Sequence, residues 1–248
     1  MKGKHILIVS QYYYPETFRI NDIAKEWIAR GYRVSVVTGI PNYPAGSFYK
    51  GYGWFKRRKE NISGVDIIRL PIIARGNSSI GLVFNYFSFV VSGFFWALFT
   101  GLKADYVYTY EVSPMTQALV GVWFAKRRKI PHYIYVTDLW PDNVEIITGI
   151  KNKFIIGSIQ KMVDYIYKNS KKIFTSSRSF IDAIKAGGVV EEKIEFWPQY
   201  AEDFYKPVEK TEGLLPEDGA FNMVFAGNIG KAQGLDVLVG AARILKDR

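Results

Sequence analysis

The sequence predicts an α/β protein built on a parallel sheet with helices on both faces. Three observations carry the prediction. Strand-length runs rich in β-branched and aromatic residues alternate with longer helical patterns. The strand runs are apolar almost throughout, as expected of strands buried on both sides. The first run is followed by an amphipathic helix and a second strand, which makes a βαβ unit. Candidate strands are His5–Ser10, Arg33–Thr38, Val65–Leu70, Asp105–Tyr110, His132–Asp138, Lys172–Ser176 and Lys193–Trp197. The first helix groups Ile20, Ile23, Ala24, Trp27 and Ile28 on one face, and Gly31 stops it. Such a sheet is Rossmann-like and binds ligands beyond the carboxyl ends of its strands.

A second domain is expected to open near the end of the chain. The stretch Glu202 to Gly219 is polar and punctuated by Pro207, Gly213, Pro216 and Gly219, so it reads as a linker. After it come a strand over Phe221–Ala226, the turn Gly227-Asn228-Ile229-Gly230, and a helix with Leu235, Leu238, Val239, Ala242 and Leu245 on one face. One strand and one helix do not make a domain, so the expected division is 1–205, a linker over 206–219, and a truncated second Rossmann-like domain over 220–248.

Composition narrows the chemistry. The chain of 248 residues has no cysteine and two histidines, which excludes disulfides and thiolate chemistry and leaves little for a metal site. A net charge of +10 favours an anionic partner: nucleic acid, a phosphorylated small molecule or an acidic membrane surface. The N-terminus runs directly into a short apolar strand without a cleavage site, so a cytoplasmic protein is expected. No Gly-x-Gly-x-x-Gly follows the first strand, which argues against a nicotinamide-dependent oxidoreductase. A basic nucleic-acid-binding protein and a non-catalytic binding module are the alternatives. The first lacks any recognisable nucleic-acid motif, and no nucleic-acid partner is expected.

From Gly76 to Leu102 there is no charge, and the stretch holds eight aromatic side chains, Phe84, Tyr86 and Phe87 among them. Three readings stay open: a membrane span, a core helix, or an apolar helix that also meets lipid. Its asparagines, serines and place within the βα alternation argue against a span. The runs Lys56-Arg57-Arg58-Lys59 and Lys126-Arg127-Arg128-Lys129 are either solvated loops and helix ends or contacts to anionic lipid.

Several residues stand where chemistry is expected. Asp138 closes a predicted central strand, where it would accept a hydrogen bond from a substrate hydroxyl or cap a helix. Trp140-Pro141 would fix the loop behind it. Glu111 is similarly placed after the fourth strand, with capping or loop hydrogen bonding as its plainer role. Glu16 and Arg19, past the first strand, would contact a substrate or its phosphate, or take part in surface pairing on the first helical turn. The Gly227–Gly230 turn before a helix has the chemistry of a phosphate cradle, or is a simple tight turn.

Four motifs in order carry a family resemblance. They are Tyr14-Pro15-Glu16; Asp138-Leu139-Trp140-Pro141-Asp142; Trp197-Pro198-Gln199-Tyr200-Ala201-Glu202-Asp203-Phe204; and Gly227-Asn228-Ile229-Gly230-Lys231-Ala232-Gln233-Gly234-Leu235-Asp236. Together they resemble the GT-B glycosyltransferases of family 4, and within them bacterial surface-polysaccharide transferases of the amino-sugar, fucosamine type. The resemblance covers essentially the whole chain. It implies two facing Rossmann-like domains, retaining transfer without a metal from a UDP-linked nucleotide sugar, and a polyprenyl-diphosphate-linked saccharide as acceptor. Of these residues it carries over Asp138 alone, with a catalytic role; Glu16, Arg19, Glu111 and Trp140, by their places near the strand ends, are the expected acceptor contacts. Donor phosphates would fall to Gly227, Asn228, Gly230, Lys231 and Gln233. The sequence departs from the family in having Thr17-Phe18-Arg19 where many members have paired glycines, and Thr137 where many have histidine. The family's Glu-x7-Glu motif would lie beyond residue 248, so this chain alone is expected to bind more than it catalyses, at the inner face of the cell membrane.

Overall fold

A computed structural model describes residues 3–148, 151–202, 205–209, 213, 219, 222–227, 229 and 233–246. The chain forms two compact units, Met1–Pro198 and Gln199–Arg248. The first holds an eight-stranded sheet in the order β3-β4-β2-β1-β5-β6-β7-β8. Its strands are β1 (His5–Val9), β2 (Arg33–Gly39), β3 (Lys59–Ile62), β4 (Val65–Leu70), β5 (Tyr106–Glu111), β6 (His132–Val136), β7 (Lys172–Thr175) and β8 (Ile194–Phe196). All neighbours pair in parallel except β3, which runs antiparallel to β4.

The alternation of side chains along the strands builds two cores. Ile6, Ile8, Val34 and Val36 face one side and pack on Ile20, Ile23 and Ala24 of helix α1 (Ile20–Ala29). Leu7, Val9 and Val37 face the other and meet Phe89 and Ala97 of α2 (Ser79–Phe99) and Val120 and Phe124 of α3 (Ala118–Arg128). Strand residues i and i+1 point to opposite faces, so fully apolar strands require covers on both. Helix α4 (Asp142–Thr148) follows β6. Beyond it α5 (Lys153–Lys168) and α6 (Arg178–Ala186) extend the layer through Val163, Ile166 and Ile184. Gly31 ends α1 as expected, at φ +84°, a conformation that costs a residue with a Cβ.

Two details differ from the sequence reading, and between them stands one that it had left open. Strand β3 was not expected, because Lys59-Glu60-Asn61-Ile62 is polar; as an edge strand it needs burial on neither face, and the turn at Ser63-Gly64 folds it onto β4. The run Lys126–Lys129 lies in the last turn and cap of α3, where cations meet the negative helix end. Of the expected strand Phe221–Ala226, residues 222–226 are described and form no strand. A solitary strand has no ladder to satisfy its backbone. In the second unit α7 (Leu235–Leu245) does form, entered through Gly234 at φ +59°.

Candidate functional site

The carboxyl ends of β1, β2, β5 and β6 carry loops pinned by buried polar side chains. Gln11, past β1, takes its place through its own N–H, which donates to Gln117 Oε1 at 2.7 Å, and its side-chain amide, which donates to Asn85 Oδ1 at 2.7 Å. Asn85 in turn donates to the Ile73 carbonyl at 2.6 Å and to Asn42 Oδ1 at 3.3 Å. Asn42 Oδ1 also accepts the Arg75 N–H at 3.0 Å. These groups are fully or almost fully buried, so each unmade bond there would cost about 1–3 kcal/mol.

Glu16 is the hub of this edge. It is 2% exposed, and its carboxylate accepts the N–H groups of Asn42 at 2.8 Å, Tyr43 at 2.7 Å and Tyr13 at 3.3 Å. Burial raises its pKa to about 7 against the pull of those three donors and of Arg69. Glu16 therefore ties the loop after β1 to the loop after β2, and its oxygens are taken; a surface pairing or open substrate contact does not describe it. Arg19 is half-buried at the start of α1, where its carbonyl accepts the N–H groups of Asp22 and Ile23.

At the ends of β5 and β6 two carboxylates lie together. Glu111 is fully buried; Oε2 accepts the N–H groups of Thr137 at 3.3 Å and Asp138 at 3.4 Å, while Oε1 has no hydrogen-bond partner among the described residues. Burial, and then the Asp138 charge, push its pKa well above the ordinary carboxylate range. Asp138 is half-buried, and its Oδ2 accepts both the N–H and the hydroxyl of Ser113, at 2.9 and 2.8 Å. Trp140 Nε1–H donates to the same Ser113 hydroxyl at 3.2 Å. Asp138 is thus aimed by the loop after β5, and Trp140 acts by holding Ser113. A buried acid thus stands beside a carboxyl group oriented by its neighbours.

Two further residues belong to this edge, and sequence reasoning missed both. Tyr86 of α2 has its hydroxyl pKa raised by burial; Arg75 opposes the shift, and Asp138 and Glu111 both add to it, which brings all four groups within one electrostatic neighbourhood. Arg75 stands between β4 and α2 with its guanidinium 5.0 Å from the Tyr43 ring centre, a cation–π contact. Tyr43 packs with Tyr12 and Phe18 in one aromatic cluster. The signal for Arg75 was its place at the carboxyl end of a strand; for Tyr86 it was the neighbouring Asn85, which marks the inward side of an apolar helix.

Among the expected donor contacts, Gly227 and Gln233 lie in the second unit, with Gln233 one residue before the entry turn of α7. Asn228, Gly230 and Lys231 lie outside the described residues.

With this geometry in view, comparison with known proteins is informative. A protein of Escherichia coli (strain K12) described as a colanic acid biosynthesis glycosyl transferase, WcaI, is 24% identical over 261 aligned positions, covering 98% of this chain and 63% of the relative. The chain therefore spans less than two thirds of that protein's length. Solved structures similar in fold include the glycotransferase of kitacinnamycin, with TM-score 0.49, 13% identity and coverage of 86% of this chain and 56% of that one. Another is the calicheamicin glycosyltransferase CalG4, with TM-score 0.47, 11% identity and coverage of 80% and 53%. Residues 17–199 match the glycosyl transferase 4-like domain, a span that takes in the loops bearing Arg19, Asn42, Arg75, Glu111 and Asp138, and the chain belongs to that family.

Proposed function

We propose that this chain is the acceptor-binding part of a glycosyltransferase of surface-polysaccharide synthesis, working on the cytoplasmic face of the membrane. The donor is a nucleoside-diphosphate sugar, UDP-linked, and the acceptor a saccharide carried on polyprenyl diphosphate. In this reading residues 1–205 receive the acceptor, 206–219 link, and 220–248 open the donor-binding domain. The observation that carries it is Asp138, oriented by Ser113 at the sheet's carboxyl edge within the matched family segment.

The chemistry is retaining transfer. The bond from the sugar's anomeric carbon to the diphosphate oxygen breaks with its electron pair on the diphosphate, a new bond forms to the acceptor hydroxyl oxygen, and the hydroxyl proton leaves on the departing phosphate. Asp138 holds the acceptor hydroxyl and favours positive charge developing at the anomeric centre. Glu111, held toward its neutral form by burial, stands beside Asp138. Backbone N–H groups around Gly227 and Gly230, with Lys231 and Gln233, receive the donor diphosphate at the α7 end.

Sugar transfer from UDP-sugars to a polyprenyl-diphosphate saccharide, by a protein of the relatives' full length, tests this. Asp138→Asn lowers kcat by roughly 10²–10⁴-fold, with KM for the donor little changed. Titration calorimetry of UDP against the present chain and the longer protein tests the division of labour: tight binding by the present chain alone overturns it.

A further inference from the structure

Helix α2 is apolar around its whole circumference yet buries only Asn85, Phe89, Gly93 and Ala97, one residue per turn. The stripe is narrow because Gly93 lets α3 approach closely: a Cβ there would stand 2.3 Å from Val120 Cγ2. Tyr86 and Trp96 are half-buried at its flanks, and Phe84, Phe87, Phe95 and Phe99 face outward, between 54% and 74% exposed. Isolated exposed apolar residues are ordinary, but a continuous face five turns long is not.

The loop before β3 extends this face. Its Trp54 is 50% exposed and Phe55 95% exposed, next to the exposed Lys56 and Arg57. The loop is fastened beside α2: Trp54 Nε1–H donates to the Ile72 carbonyl, the next residue's N–H donates to Ser88 Oγ of α2, and Arg58 and Phe99 line one cavity. Charge around the face is predominantly cationic, with Glu60 beside Arg57 as a neighbouring carboxylate. Residues 67–104 and 112–137 contain no carboxylate, and they supply Arg75 and Lys103 at the two ends of α2 and Lys126–Lys129 at the end of α3.

We propose that the outer face of α2, with Trp54 and Phe55, is a docking surface for a bilayer of anionic lipids. An apolar face rimmed by cations matches an acyl layer under anionic headgroups. Docking against a second copy would set two cationic rims together. The helix lies along the membrane instead of crossing it: Asn85 and Ser88 bond it to the sheet edge, and Phe89 is in the core. Because Arg75 and Tyr86 sit at the N-terminal half of α2, docking sets the carboxyl edge of the sheet at headgroup depth. This rests on the reading of a lipid-linked acceptor, whose diphosphate lies at that depth.

The chain has no cysteine, so a single Phe87→Cys carries an environment-sensitive dye, with Glu26→Cys on α1 as control. With vesicles of phosphatidylcholine and phosphatidylglycerol, the dye at 87 shifts to the blue and the control does not. Replacing Lys56 and Lys103 by Glu weakens vesicle binding about tenfold or more, as does raised salt. Equal binding to pure phosphatidylcholine, or no shift at 87, overturns the proposal; so does a lipid-free shift accompanied by doubled mass in light scattering, which assigns the face to a second copy. No sugar is present in the experiment. Failure here with sugar transfer to a short-chain acceptor intact overturns the docking surface alone, whereas vesicle binding without any transfer overturns the reaction.

Discussion

The carboxyl edge of the sheet and the outer face of α2 break the usual inside-outside distribution in opposite senses. At the edge, Gln11, Glu16, Asn42, Asn85, Glu111 and Gln117 are buried; on α2, phenylalanines face water. At the edge the buried groups bond one another and the loop backbones, so desolvation is partly offset and the loops are held. On the outer face of α2 there is no comparable compensation among the described residues. The contrast teaches that buried polar groups mark a site the protein builds for itself, and exposed apolar groups mark a surface completed by something else.

The largest effect that sharpens this contrast is at Phe89, the one phenylalanine of α2 that is wholly buried. Phe89→Ala is expected to cost about 3–5 kcal/mol in urea unfolding. A loss below about 1 kcal/mol would mean that α2 is hardly part of the core, and the contrast would fail.

The next tests the edge through pH. Glu16 has its folded pKa raised from 4.5 to about 7, mainly by burial. A carboxyl with a raised folded pKa adds stability below its unfolded pKa and loses it as pH rises through the folded value. The stability of the wild type relative to Glu16→Gln should therefore fall by about 3 kcal/mol between pH 4.5 and pH 7. The buried His132, lowered from 6.5 to about 3 by burial, loses stability as pH falls below 6.5, but identically in both proteins, so it cancels. A difference that grows with pH would show that the three N–H donors outweigh burial.

The smallest expected effect is Phe87→Ser, whose side chain is 64% exposed. Its urea midpoint should lie within about 0.5 kcal/mol of wild type while vesicle binding weakens. A large loss of stability would mean that the outer face is covered within the fold.

Much of the scaffold was legible from residue patterns. Strands β1, β2 and β4 to β7 are apolar runs bounded by turn residues, and Glu111 and Asp138 fall at strand ends because every βα connection in a parallel sheet returns ligand-facing loops to one edge. Strand β3 was missed because an edge strand needs no apolar pattern. Arg75 and Tyr86 were missed because their role comes from residues distant in the chain: Tyr43 for one, Asp138 and Glu111 for the other.

By itself the sequence determined the parallel α/β sheet, the strand ends that hold the candidate carboxylates, and the apolar character of residues 76–102, since each depends on local composition and period. Only the tertiary structure decided that Glu16 is a loop anchor within the interior, that Ser113 aims Asp138, and that α2 turns Phe89 inward and Phe87 outward. Burial and hydrogen-bond geometry arise between segments far apart in the chain. In a helix apolar nearly all round the hydrophobic period is weak, and Asn85 alone points to the covered face.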